Sequence, residues 1–135
     1  CVFSAIELSE KEDTRNLEFK YAKADYALIS NSSANRFTND VPMIIPEINP
    51  EHTGIIPIQR SNRNLPENGF IAAKPNCSIQ SYLVTLYALE KAGFPIKHVQ
   101  VTTLQAISGA GQAGLTSEEM RENVVPFIGG EEEKN

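Results

Sequence analysis

Between Val2 and Ser30 the chain reads strand, helix, strand, and no other feature restricts its possible folds as much. Val2 to Ile6 is a short apolar strand. Ser9 followed three residues later by Glu12 has capping-box spacing, so a helix is expected from there to about Lys23. Leu17, Tyr21 and Ala24 would form its thin apolar stripe. Tyr26 to Ser30 is the second strand. Two strands joined by one helix over so short a length pair in parallel, which makes the chain α/β. Open parallel sheets bind ligands at the carboxyl ends of their strands. The polar loop Asn31-Ser32-Ser33-Ala34-Asn35-Arg36 leaves that edge. Its small residues expose backbone N–H groups, and Arg36 offers an anion a two-pronged grip. A plain surface turn with a solvated arginine fits the same residues.

A second junction lies at Asn76-Cys77-Ser78. Gly69 to Lys74 is a short apolar strand stopped by Pro75, and after the cysteine Ile79, Tyr82, Leu83, Leu86, Leu89 and Ala92 recur at helical spacing up to Gly93-Phe94-Pro95. Cys77 therefore stands where a strand hands over to a helix, close to the first free N–H groups. The partial positive charge of a helix start favours thiolate over thiol. Free cysteine is also among the most buried residue types, but Asn76 and Ser78 are capping residues suited to a wet pocket. Cys77 is read as a nucleophile.

Elsewhere the signals are weaker. Val41-Pro42-Met43-Ile44-Ile45-Pro46 is an apolar run bracketed by prolines, suited to a sheet edge or an extended connection. His52 lies in a turn and His98 opens a strand, and both are read as structural. Gln59 to Asn68 reads as polar and irregular, with Arg60 and Arg63 on the surface. His98 to Ile107 is rich in β-formers, and Gln105 near its end points an amide toward the thiol's pocket or simply flanks the strand. Gly109, Gly111 and Gly114 satisfy G-x-G-x-x-G, and Thr116 with Glu119 has capping-box spacing. The dinucleotide fingerprint requires a second strand with an acidic tip. Here Asn123 to Gly130 is broken by a proline and two glycines, so the glycines are read as a wall of the cysteine's pocket.

At 135 residues the chain is long enough for one domain with its own core. A net charge of −5 argues against nucleic-acid and anionic-membrane partners, and no apolar stretch approaches a membrane span. Two cysteines far apart give neither a disulfide framework nor a zinc site, so no metal is expected and a reducing cytoplasm is the default. Cys1 stands inside what reads as a strand, and the end falls within an acidic run, so a piece of a longer chain is expected.

Four segments taken together resemble one family. Ser30 to Arg36, Asp40 to His52, Pro75-Asn76-Cys77-Ser78 and Thr103 to Gly111 are similar, in this order, to aspartate-semialdehyde dehydrogenases of the branch found in archaea, fungi and some bacteria. The likeness continues through Val124 to Lys134. It implies the distal part of a Rossmann-like NADP-binding domain over residues 1–76, and the start of an α+β catalytic and dimerisation domain over 77–135. It also implies reductive dephosphorylation of aspartyl 4-phosphate to aspartate 4-semialdehyde by NADPH, on the route to lysine, threonine and methionine, in a homo-oligomer. Cys77 matches the family nucleophile and Gln105 the glutamine that contacts the covalent intermediate. Arg36 matches the phosphate-holding arginine, and Asn76 a phosphate-side residue. Ser108, Gly109, Ala110 and Gly111 match the loop at the nicotinamide. Ser4, Ser30 and Asn31, at the strand ends, are expected on the cofactor side. The family's Gly-rich cofactor loop would precede Cys1, and its catalytic histidine and carboxylate-binding arginine would follow Asn135. The chain alone is therefore expected to be inactive.

Three other readings compete. N-acetyl-glutamyl-phosphate reductase shares the thioester logic, but its cysteine usually follows Pro-Gly. Archaeal malonyl-CoA reductase is a nearer cousin. A truncated module that only dimerises or binds a nucleotide is the non-enzymatic alternative.

Overall fold

The computed structural model describes residues 1–6, 8–110, 118 and 123–126. Three strands, β1 (Val2–Ser4), β2 (Ala27–Ser30) and β3 (Phe70–Ala73), form one parallel sheet in the order β1-β2-β3. Helix α1 (Lys11–Lys23) joins β1 to β2, so the expected unit is present with both strands shorter than read. A long connection runs through a 3-10 helix (Pro50–Ile55) and α2 (Ile56–Arg63) to β3. Helix α3 (Cys77–Lys91) leaves β3, and a short 3-10 turn spans Ile107–Ala110. This is the parallel-sheet arrangement of part of a Rossmann-like domain.

The core lies on one sheet face, where Leu28, Ile71 and Ala73 meet Ala22 of α1 and Val41, with Val2, Phe19 and Leu65 around them. The face α1 turns inward is Thr14, Glu18 and Ala22, not the expected Leu17, Tyr21 and Ala24. Two polar residues go inside because each finds a partner there, whereas Tyr21 remains 42% exposed. The capping box at Ser9 does not form. Helix α1 begins two residues later, its N-cap Glu10 makes no side-chain bond, and the hydroxyl of Thr14 instead accepts from the Leu8 N–H at 3.0 Å.

The outer edge of β3 is occupied. Residues 42–44 run alongside as a parallel bridge between Met43 and Ala73, with Ala73 N–H donating to Pro42 O at 2.8 Å and Ile44 N–H to Ala73 O at 3.0 Å. Further along the same strand the Gln59 carboxamide takes a strand's place. Its Nε2 donates to Ile71 O at 3.0 Å, and its Oε1 accepts from Ile71 N–H at 2.7 Å. Gln59 also donates to Asp40 O and has no exposed surface. The stretch from Gln59 is therefore helical to Arg63 and anchored, not irregular. Arg63 chelates the Asp40 carboxylate at 2.6 and 2.7 Å and stacks over the Phe19 ring at 3.9 Å. A stretch polar in composition packs because the polar side chains it turns inward, Gln59, Arg60 and Arg63, are paired.

Gly69 marks the closest approach of helix and sheet, since a Cβ there would lie 2.1 Å from Ala22 O. Helix α3 ends as its sequence suggests, with Gly93 at φ +87 and Phe94 N–H returning to Leu89 O. The strand expected from His98 to Ile107 is absent. Residues 94–106 have no regular structure and are mostly exposed, because no strand among the described residues runs beside them to complete a ladder.

Candidate active site

Asn76 is the N-cap of α3 and Cys77 its first residue, so the expected strand-to-helix junction forms. Asn76 is buried, whereas Cys77 is exposed. The thiol donates weakly to Asn76 Oδ1 at 3.4 Å. Gln80, one turn on, ties the helix to the approaching strand by donating to Pro75 O at 2.9 Å. A cysteine at the start of a helix whose first turn is anchored, and reached by solvent, has the setting of a reacting thiol rather than of a core residue.

Cys77 lines a cleft of about 730 Å³. Gln105, Ser108 and Gly109 line the same cleft, opposite the first two turns of α3. The Gln105 side chain folds over the 3-10 turn, its Oε1 lying 3.4 Å from where a Cβ on Gly109 would be. A glycine at this place leaves that carboxamide room. Three residues expected around the thiol therefore share its cleft. Ala110 ends the same turn. Gly111, the Thr116–Glu119 cap and the tail 127–135 lie outside the described residues.

Arg36 and Asn76 line neither this cleft nor its neighbour. Arg36 Nε donates to Lys74 O at 3.1 Å and Nη2 to Asn31 O at 3.3 Å. The guanidinium thus fastens the loop after β2 to the segment that carries Lys74 into Pro75, Asn76 and Cys77. Beneath it, Ser30 Oγ donates to Glu18 Oε1 at 2.6 Å.

A second cleft of about 770 Å³ opens at the carboxyl ends of the strands. Ser4, Ser30, Asn31 and Lys74 stand on its rim, and its floor is the sheet face turned away from α1, with Phe3, Ile29, Phe70 and Ala72. Ser30 borders the cleft without exposed surface, its hydroxyl committed to Glu18. Small polar residues at strand ends over an apolar floor suit a dinucleotide lying across the edge of a parallel sheet. Lys74 at this rim is a residue that sequence reasoning misses; its signal is a cation directly after a strand whose other end residues are small. Among the described residues no group of three or more His, Cys, Asp or Glu is placed to hold a metal, and no helix is long and apolar enough to cross a membrane. His52 sits in the 3-10 helix with Nδ1 2.9 Å from Asn49 Nδ2 and 3.2 Å from Met43 O, and it lines neither cleft, although its neighbours Pro50 and Thr53 line the second.

Comparison with known proteins bears on the fold and the family likeness. Residues 1–55 match the family model described as semialdehyde dehydrogenase, NAD binding domain. Aspartate-semialdehyde dehydrogenase of Archaeoglobus fulgidus is 43% identical over 98% of this chain and 37% of its own length. That of Methanothermobacter thermautotrophicus is 47% identical over 89% of this chain and 33% of its own length. The NADP-bound structure of the Candida albicans enzyme superposes with a TM-score of 0.66 at 33% identity, covering 98% of this chain and 36% of that one. A malonyl-CoA reductase (NADP) of Metallosphaera sedula is 38% identical over 87% of this chain. The chain spans about a third of the length of these dehydrogenases.

Proposed function

We propose that this chain, a relative of the aspartate-semialdehyde dehydrogenases over nearly its whole length, carries the nucleophile and part of the cofactor cleft of an NADP-dependent acyl-phosphate reductase. The substrate assigned is aspartyl 4-phosphate and the product aspartate 4-semialdehyde, a step toward lysine, threonine and methionine. Cys77 attacks the acyl carbon, the carbon–oxygen bond to phosphate breaks, and a thioester on Cys77 remains. NADPH, when bound, would supply the hydride that releases the aldehyde, with the carbon–sulfur bond broken and the Cys77 thiolate restored. Gln105 orients the acyl group over the thiol by hydrogen bonding. The family likeness assigns Arg36 and Asn76 to the phosphate side, although neither lines a cleft here, and assigns Ser4, Ser30 and Asn31, with Ser108 to Gly111, to the cofactor. Homo-oligomeric assembly and a cytoplasmic location go with this reading.

Thiolate chemistry alone does not account for the rate. Lowering an ordinary thiol's pKa by ~2 units raises the thiolate fraction about twenty-fold, but intrinsic nucleophilicity falls about eight-fold. Alignment of reactants, worth ~7–11 kcal/mol, must supply more. The single observation that carries the proposal is an exposed Cys77 at a helix start, sharing its cleft with Gln105.

The test is turnover of the full-length protein with aspartate semialdehyde, NADP and phosphate. Cys77→Ala is expected to abolish it, and turnover retained in that variant would refute the nucleophile assignment. The malonyl-CoA reductase relative supports a second reading, in which the same cysteine accepts an acyl group from a thioester. NADPH oxidation driven by malonyl-CoA, with no phosphate-dependent reaction of aspartate semialdehyde, would select it.

A further inference from the structure

Glu18 is 1% exposed in the middle of α1, and both its oxygens are used by neutral donors. Oε1 accepts from Ser30 Oγ at 2.6 Å and Oε2 from Asn35 Nδ2 at 2.7 Å. Those donors are the last residue of β2 and the residue before Arg36, so one carboxylate holds both ends of the loop 31–35. Neither donor has any exposed surface. The loop is tied internally as well, by Ser32 N–H to Ser30 Oγ at 3.1 Å and Ala34 N–H to Ser32 Oγ at 3.0 Å. One helical turn before Glu18, Arg15 Nε donates to Ala34 O at 2.7 Å.

A helix that needed only to pack would place an aliphatic side chain here, because burying a carboxylate is costly unless every lone pair finds a donor. What a carboxylate offers that a leucine or a glutamine does not is two acceptor oxygens on one rigid plane. We propose that Glu18 is a positioning residue for the anion-binding loop: it fixes Ser30 and Asn35 so that Arg36 is presented at Lys74 O, beside the segment that carries Cys77. This rests on the assignment of Arg36 to the phosphate group.

The test uses the full-length enzyme in the phosphorylating direction, with inorganic phosphate as the varied ligand. Glu18→Gln leaves one acceptor oxygen for two donors: either the Asn35 amide meets another amide, or the carboxamide turns and the buried Ser30 hydroxyl proton loses its acceptor, so one of the two bonds is lost in both orientations. The phosphate KM is expected to rise about tenfold, since small displacements of a binding group are costly, while the KM for aspartate semialdehyde moves by less than about twofold. Asn35→Asp alone sets two carboxylates face to face and is expected to raise the phosphate KM similarly. In the double variant the new amide at position 18 donates to the new carboxylate at position 35, which still accepts from the Thr38 hydroxyl, so the phosphate KM should return toward the parent value. Where Glu18→Gln does not fold, Asn35→Asp and the double variant carry the comparison. A purely structural Glu18 would lower Tm and the active fraction together, without a selective change in phosphate KM and without rescue. An unchanged phosphate KM in the folded variants, with Arg36→Ala raising it, overturns the role of Glu18 and leaves Arg36 in place. If Arg36→Ala also leaves it unchanged, the phosphate assignment itself fails and the role of Glu18 falls with it.

Discussion

Asp25 shows how much one side chain can do at the end of a helix. It follows α1 in the left-handed region, at φ 68, and its carboxylate accepts from Asn68 N–H at 2.8 Å and Asn68 Nδ2 at 3.0 Å. The side-chain amide of Asn68 is the main cause that holds its pKa below the ordinary 3.8, helped by that residue's backbone N–H. Because the folded value is the lower one, the stability this contact contributes is complete above the ordinary value and is lost as pH falls through the folded value. Asp25→Asn should therefore flatten the acid limb of a Tm-against-pH curve below about pH 4 while leaving the neutral limb parallel to the parent's. A parent and a variant that lose Tm in step on acidification would show that the Asn68 contact is not the source. At this scale the site was partly legible. Cys77 declares itself because a strand stop, an N-cap residue and an apolar repeat all meet there. Glu18 and Gln59 did not, because an isolated polar residue reads as surface until its buried partners are known. The only trace of Glu18 is its four-residue spacing from Thr14 and Ala22.

Among the elements, β3 depends most on its neighbours. Four residues long, it is paired on one side by β2 and closed on the other by residues 42–44 and the Gln59 carboxamide. Gln59→Leu keeps the volume but leaves the Ile71 N–H and C=O without partners in a buried place. Each such loss costs ~1–3 kcal/mol, so a destabilisation of about 3 kcal/mol is expected. Chemical denaturation with an unchanged m-value would check it, and a shift below about 1 kcal/mol would show that water or a local rearrangement replaces the carboxamide. The parallel sheet was legible because a strand–helix–strand order leaves few alternatives. The face of α1 was not, because the apolar pattern on that helix is thin and the hydrogen-bonded Thr14 and Glu18 outcompete Leu17 and Tyr21 for the interior. The expected strand over 98–107 failed for another reason: β-propensity is local, whereas a ladder needs a neighbour.

For the whole molecule, what stands out is an uneven distribution of apolar surface. One sheet face is sealed by α1, while on the other Phe3 is 81% exposed and Phe70 is only partly covered. Helix α3 has no fully buried residue, and Phe94, Val101 and Leu104 beyond it are 65%, 47% and 92% exposed. Apolar surface on this scale marks places where other protein packs. The 135-residue chain by itself is therefore expected to bind the dye ANS strongly, and Phe3→Ser with Leu104→Ser should reduce the signal severalfold. Dye binding as low as that of an ordinary folded domain would mean that these surfaces find cover within the chain.

The closed flank of β3 also sets a direction of growth. With Pro42 to Ile44 and the Gln59 amide using up its hydrogen-bonding groups, that flank accepts no newcomer. Any additional strand must enter beside β1, so the sheet lengthens one way only. An assembly of several copies has to be built without stitching one β3 to another.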